Sequence, residues 1–332
     1  VTFRAWVAAI VLALGIGTGI TIDGSSGAAT TSPRTISFFP RAGASGPWEW
    51  NPQCPFIPTA QSGCQDSDPV YGSIILNGDL WNIGSTASGD VEMGINSKGQ
   101  LVTSADFSSA KAERSYTWVR GYPNVSYGVA PQAPSDAPAR SQAFALPLSL
   151  KQVPSDVIAT TNYDVSATSS ITYDLSYDIW LEPQQQVEAP TGKTLELMIW
   201  TDESIHSLPP GYKEQITMPY ALNGVRKSGT WSVYISNGSR ASNATTTIEL
   251  VLRTPKNKAQ IGVDFNSAFS NMEKALTKVY PSQWKSFSSY YLDSFSFGTE
   301  FGPLTGHASA GPLTWSLDGY SLRVGGHLPA AS

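Results

Sequence analysis

Charge is what this 332-residue chain has least of: only 14% of its residues are Asp, Glu, Lys or Arg, against about a quarter in an average globular protein. With a formal net charge of −5 it lacks the basic stripe that nucleic-acid binding requires, so nucleic acid is not an expected partner. Cysteine is nearly absent, with Cys54 and Cys64 the only two, and histidine is limited to His206, His307 and His327. None of these has a companion at metal-ligand spacing, so no metal and no cofactor are expected. There is no Gly-x-Ser-x-Gly elbow and no phosphate-binding loop, which removes the esterase, protease and nucleotide readings.

Long apolar runs are also missing, with one short exception. Arg4, the stretch Ala5 to Leu14 and the small residues through Ala28-Ala29-Thr30 read as an export signal. Extended through Ile20 and Ile22 the stretch nears the length of a membrane span, but Gly15, Gly17 and Gly19 weaken it. Residues 1–30 are therefore expected to be a cleaved export segment and the protein to be secreted, or membrane-anchored if the segment is kept. Beyond that, no stable membrane partner is expected. Val1 fits a bacterial reading frame with a non-AUG start. In an oxidising compartment Cys54 and Cys64 are expected to pair, closing a short loop worth about 2–3 kcal/mol at most.

What the chain does have is Gly, Ser, Thr and aromatics, including ten tryptophans. A tryptophan needs a flat apolar partner, and a sugar ring is one such partner. Residues 31–67 are rich in Pro, Gly and Ser and read as an extended lead-in. From Val70 onward short runs of period-two alternation recur between Gly, Asn, Asp and Pro, the pattern of an all-β sandwich or barrel. The expected organisation is one domain over 68–326, with a tail at 327–332 and no repeat. The Pro-rich segment Ala130 to Arg140 predicts a surface loop. One stretch keeps helical spacing instead: Phe265, Ala268, Phe269, Met272, Ala275, Leu276 and Val279 share a face, with Asp264 or Asn266 as cap.

Three strands carry acids in unusual company. In Leu195-Glu196-Leu197-Met198-Ile199-Trp200 the pleat sets the aliphatic residues on one face and Glu196, Met198 and Trp200 on the other. In Ser294 to Phe301, the phenylalanines face one way while Ser294, Ser296, Gly298 and Glu300 face the other. In Asp174 to Trp180, Asp174, Ser176, Asp178 and Trp180 share a face. Breaking an acetal needs a proton for the leaving oxygen and a negative charge beside the forming oxocarbenium, and two acids on one sheet face supply both. The plain alternative is that each is an ordinary solvent-facing acid.

The two glutamate segments, Leu195 to Trp200 and Gly298-Thr299-Glu300, resemble the signature segments of glycoside hydrolase family 12. Asn77-Gly78-Asp79-Leu80-Trp81, Gly121 to Gly128 and Ser176-Tyr177-Asp178-Ile179-Trp180 are similar to other family elements, in the same order, and the resemblance covers about residues 70–326. It implies a β-jelly roll sandwich of two curved antiparallel sheets with one helix on the convex face and a groove on the concave one. It further implies a retaining endo-β-1,4-glucanase acting on cellulose, xyloglucan or mixed-linkage glucan, with Glu196 as nucleophile, Glu300 as acid/base and Asp178 hydrogen-bonded to, or sharing a proton with, Glu196. A separation of about 5–5.5 Å between the Glu196 and Glu300 carboxyls follows from that mechanism.

By the same resemblance Trp81 stacks on a sugar and Met198 packs beneath the reacting one. Asp79, Tyr122, Trp118 and Trp200 are further candidates for substrate contact, and core filling is the competing role for the aromatics and Met198. The chain departs from the family at Asp79, where Asn is usual, and at Phe301-Gly302-Pro303. These departures motivate the alternative of a non-catalytic carbohydrate-binding jelly roll. The expected partner is a β-glucan, and a monomer is the expected state.

Overall fold

Alternating residues form strands here because one pleated face has somewhere apolar to go. A computed structural model describes residues 34–37, 70–71 and 74–330, apart from 85, 97, 99, 116, 129–144, 186–189, 205–210, 238–244, 254–256 and 282–285. The export segment, the Cys54–Cys64 pairing, most of the lead-in and the Pro-rich loop lie outside the described residues.

The described strands in chain order are β1 (Arg34–Ser37), β2 (Val70–Tyr71), β3 (Ile74–Asn77), β4 (Ser88–Ile95), β5 (Leu101–Ser109), β6 (Asn124–Gly128), β7 (Leu148–Ser149) and β8 (Val157–Ala167). They continue with β9 (Ile171–Glu182), β10 (Leu195–Glu203), β11 (Tyr212–Leu222), β12 (Val225–Asn237), β13 (Thr246–Leu252), β14 (Lys258–Asp264), β15 (Tyr291–Pro303) and β16 (Ala310–Val324). Hydrogen bonding runs continuously from β2 through β3, β6, β15, β9, β10, β13, β12 and β11 into β14, β8, β16, β5 and β4. The narrow join is the pairing of β11 with β14, which covers only Tyr220 to Leu222. On either side of it the sheet folds back on itself into the two layers of a jelly roll. The lead-in is not wholly outside the sheet, because β1 pairs with the end of β16.

Aromatic contacts mark where the layers meet. Phe107 of β5 stacks on Phe301 of β15 at 5.8 Å, Tyr163 of β8 lies 6.4 Å from Phe297, and Tyr177 of β9 lies 6.0 Å from Tyr320 of β16. All six rings are almost wholly buried.

One helix, α1 (Phe265–Val279), forms over the residues that the spacing predicted. Asp264 caps it by accepting from the backbone N–H groups of Asn266 and Ser267. Phe265 at its start stacks on Phe295 at 4.8 Å and meets Tyr177 edge-on at 5.6 Å. Those two rings point away from the acid-bearing face, so the helix sits on the opposite, convex side.

One pairing departs from the antiparallel expectation: β10 and β13 run parallel, Leu195 to Trp200 beside Thr246 to Val251. A parallel pair needs a long crossover, and the β11–β12 hairpin between them provides it. The result is that β13 is inserted next to the strand that carries Glu196.

Candidate active site

The central strands are laid in the order β15, β9, β10, β13. Leu175, Tyr177, Ile179, Leu197, Ile199, Ile248, Leu250, Phe295 and Phe297 point into the sandwich and belong to its main apolar core. The alternate positions share the other, concave face, where Glu196 stands opposite Trp180, Met198 opposite Asp178, and Glu300 opposite Asp174. On the β13 side Thr247 stands beside Glu196, and Glu249 beside Met198. The carboxyls of Asp174, Asp178, Glu196, Glu249 and Glu300 therefore share one face of four neighbouring strands, with Glu203 opposite Asp174 on the same face. None of these strands contains Lys, Arg or His.

Two pairs stand out in this group: Glu196 with Asp178, which act on each other through charge, and Glu300 with Asp174, which are also hydrogen-bonded. The Thr247 hydroxyl donates to Glu196 Oε2 at 2.7 Å, and the Trp180 indole donates to Asp178 Oδ2 at 3.0 Å. Glu196 is raised by burial and drawn back toward ionisation by the Thr247 hydroxyl. Burial, and after it the charge of Glu196, holds the Asp178 carboxyl well above the usual carboxylate range, and Asp79 adds to this. Both carboxyls accept a hydrogen bond, which favours the charged form, and what raises Asp178 further is the like charge of Glu196, which disfavours it.

In the second pair Asp174 is pushed up to about 7 by burial, offset by hydrogen bonds with Glu300 and Ser176. Glu300 is raised well above its ordinary value by burial first, then by the charge of Asp174 and the hydrogen bond to it, with the charges of Glu196 and Glu249 adding further. The like charges thus push Glu300 toward its protonated form, while the hydrogen bond to Glu196 works in the opposite direction, the kind of asymmetry that acid-assisted attack on an acetal requires.

The aromatic candidates take different places. Met198 and Trp200 are buried, but outside the sandwich core: with Tyr234, Val251 and the partly exposed Trp118 they form a separate apolar cluster on the acid-bearing face. Trp118 reaches it from the loop before β6. That loop is pinned where Gly302 leaves no room for a side chain, since a Cβ there would lie 2.0 Å from the Trp118 carbonyl oxygen. Arg120 ties the loop further by donating to the carbonyls of Ala110, Thr117, Trp118 and Val119.

Trp81 is partly exposed and, among the described residues, belongs to neither apolar cluster. Tyr122 is buried, and its hydroxyl donates to the Ser176 carbonyl at 3.0 Å, so it braces the floor between β9 and β15. Asp79 adopts φ 33°, a left-handed conformation that Asp tolerates better than most residues, and its amide donates to Asn77 Oδ1.

Thr247 and Glu249 were not singled out from the sequence. The run Thr246 to Leu252 carries the same signal as the Glu196 strand, with Ile248, Leu250 and Leu252 on the core side and Thr247 and Glu249 on the other. What no pattern indicated was the parallel pairing that sets this strand beside β10. Asp174 was visible on the acid face, but not as the partner of Glu300.

A family model described as glycosyl hydrolase family 12 matches residues 73–325. Among solved structures the chain is similar to a family 12 xyloglucanase from Bacillus licheniformis in complex with ligand, at 18% identity and a TM-score of 0.55, covering 84% of this chain and 99% of that one. It is also similar to an endoglucanase from Rhodothermus marinus, at 18% identity and a TM-score of 0.51, covering 77% of this chain and 93% of that one. Among curated protein sequences none matches.

Proposed function

Because the chain belongs to glycosyl hydrolase family 12, we propose that it is a secreted, endo-acting, retaining hydrolase of β-1,4-glucans, with Glu196 as nucleophile and Glu300 as general acid/base. The observation that carries this reading is the unlike company of two partly buried glutamates on one face: the Thr247 hydroxyl donates to Glu196 while Glu300 stands opposite Asp174, so that burial and like charge push Glu300 toward its protonated form while the hydrogen bond draws Glu196 back toward ionisation. Glu196 attacks the anomeric carbon while the Glu300 proton passes to the departing glycosidic oxygen, giving a covalent glycosyl-enzyme. Glu300, now ionised, then takes a proton from water as the water oxygen displaces Glu196, and the anomeric configuration is retained. Asp178, protonated beside the ionised Glu196, steadies the nucleophile between steps.

The half-exposed Trp81 supplies a stacking platform for a sugar ring, and the Met198, Trp200, Trp118 cluster an apolar bed within reach of the acids. The names of the similar structures, a xyloglucanase and an endoglucanase, support a β-glucan as substrate. Export is proposed from the segment at 1–30, and N-terminal sequencing of the secreted protein checks it.

The direct test measures reducing ends released from carboxymethyl-cellulose, barley glucan and xyloglucan by the wild type, Glu196→Gln and Glu300→Gln. Turnover by the wild type on at least one glucan is expected, with a loss of about 10²-fold or more in each variant. Binding without turnover in the wild type would instead establish the non-catalytic alternative. Proton NMR of the first product decides the stereochemistry, and an inverted anomer would overturn the nucleophile role of Glu196.

A further inference from the structure

The concave face carries acids beyond the two pairs, and its own strands hold no charge to balance them. Neither β3, β6 and β15 nor β9, β10 and β13 contains Lys, Arg or His. Arg120, in the loop before β6, spends its guanidinium on four backbone carbonyls. Asp178 and Glu249 are each only 6% exposed, and Asp178 Oδ1 and Glu249 Oε2 are sealed from solvent without a hydrogen-bond partner among the described residues. A cleft lined by acids of one sign draws in the opposite charge, and a neutral glucan brings none.

At the flank of this face stands Asp79, where the family usually has Asn. Its place follows from the register. Leu76 of β3 packs in the core, so Asn77 faces the other way, in one row with Asn124 of β6, Gly298 of β15 and Ser176 of β9. Asp79 follows two residues on: its amide donates to Asn77 Oδ1 at 2.9 Å, and its carbonyl accepts from the Tyr122 amide at 2.8 Å. The Tyr122 hydroxyl in turn reaches Ser176 on β9. Gly121 lies so close to this turn that an added Cβ would stand 2.7 Å from the Asp79 carbonyl oxygen. The turn is thus fixed to the groove, and both Asp79 and Trp81 in it are partly exposed. The charge of Asp79 is also felt by Asp178 in the floor.

We propose that Asp79 and Trp81 form a subsite for a cationic amino sugar, and that the enzyme cleaves β-1,4-linked glucosamine polymers, chitosan among them, as well as neutral glucans. Such a polymer has the backbone and linkage of a β-1,4-glucan. The bond broken, the nucleophile and the proton donor are therefore those given above, and water again supplies the H and OH of the two products. What differs is the ammonium group. An amide offers a sugar hydroxyl both a donor and an acceptor, whereas a carboxylate only accepts and makes its strongest hydrogen bonds with a cation. The face of Trp81 attracts a cation as well. The inference rests on the catalytic reading of Glu196 and Glu300.

The experiment measures kcat/KM on soluble chitosan oligosaccharides and on barley glucan, in mildly acidic buffer where the amine is protonated, for the wild type and Asp79→Asn. The wild type is expected to cleave both. Asn keeps the size of Asp and its tolerance of left-handed backbone, so the substitution removes the charge alone. The ratio of kcat/KM on chitosan to that on barley glucan should then fall about threefold or more. Raising NaCl from about 0.05 to about 0.5 M should depress the wild-type rate on chitosan and leave the glucan rate level, because salt screens an exposed charge pair. Should Asp79→Asn fail to fold, the salt series decides.

Cleavage of barley glucan without cleavage of chitosan overturns the proposal and leaves the glucanase reading standing. An unchanged ratio in Asp79→Asn overturns it too, as does an equal salt dependence on the two substrates. If the wild type cleaves neither polymer, the catalytic reading itself fails, and this inference with it.

Discussion

Replacing Glu249 by Gln should make the protein more stable at alkaline pH than the wild type, and the size of the effect follows from the site. The carboxyl is buried beside two other acids and titrates at about 8 in the folded chain against 4.5 when free. A folded-state value raised above the unfolded one means that the folded protein holds a proton that the unfolded chain releases. Stability from this group is therefore complete below about pH 4.5, falls as pH rises toward about 8, and is flat beyond.

At about 1.4 kcal/mol per pH unit, the wild type loses up to about 5 kcal/mol over that window. This is a ceiling, because part of the rise comes from Asp174 and Glu196, which themselves hold protons over some of the range. Gln carries no proton to lose. Urea unfolding followed by tryptophan fluorescence at about pH 5, 6.5, 8 and 9 measures the difference in unfolding free energy between variant and wild type. That difference should grow by several kcal/mol in favour of the variant between about pH 5 and 8, and then level off. A difference that stays constant from pH 5 to 9 would refute the reasoning, because it would mean that Glu249 titrates alike in the folded and unfolded chains.

Three further outcomes are expected. Thr247→Val removes a hydrogen bond to a charged group, worth about 1.5–3 kcal/mol, so the acid limb of kcat/KM should rise by about one pH unit while the alkaline limb stays; an unmoved acid limb would contradict the Thr247–Glu196 pairing. Asp293 is pushed up to about 7 by burial and then by the charge of Glu182, so Asp293→Asn should gain in melting temperature over the wild type as pH rises from about 4 to 7, with the curves running together below. Asp264→Ala removes the cap of α1 and should cost about 1 kcal/mol in urea unfolding without altering activity, since the helix sits on the face away from the acids.

The residues that were legible in the sequence are those whose message is local. The α1 stripe from Phe265 to Val279 and its Asp264 cap appear as the spacing indicates, because a helix closes its hydrogen bonds within a few residues. The faces of β9, β10 and β15 were likewise readable, since alternation of apolar and polar residues is a property of each strand alone. The expectation that Glu196 and Glu300 share a reaction came from the family resemblance and not from alternation, which shows only that each faces away from the core. Glu249 and Thr247 obey the same alternation and still went unnoticed, because a strand pattern does not say which strand lies beside it.

By itself, then, the sequence determined the strand-rich class, the single helix and which side chains leave the core, since these depend on contacts within a few residues. Only the tertiary structure decided that β13 lies parallel to β10, that Asp174 faces Glu300, and that Met198 and Trp200 form a bed on the acid side apart from the sandwich core. Those relations join residues that stand far apart in the chain, and the sheet order that joins them is set by the packing of the whole. The direction in which each acid's pKa moves follows from the same packing, through its burial and the neighbours brought to it from other strands.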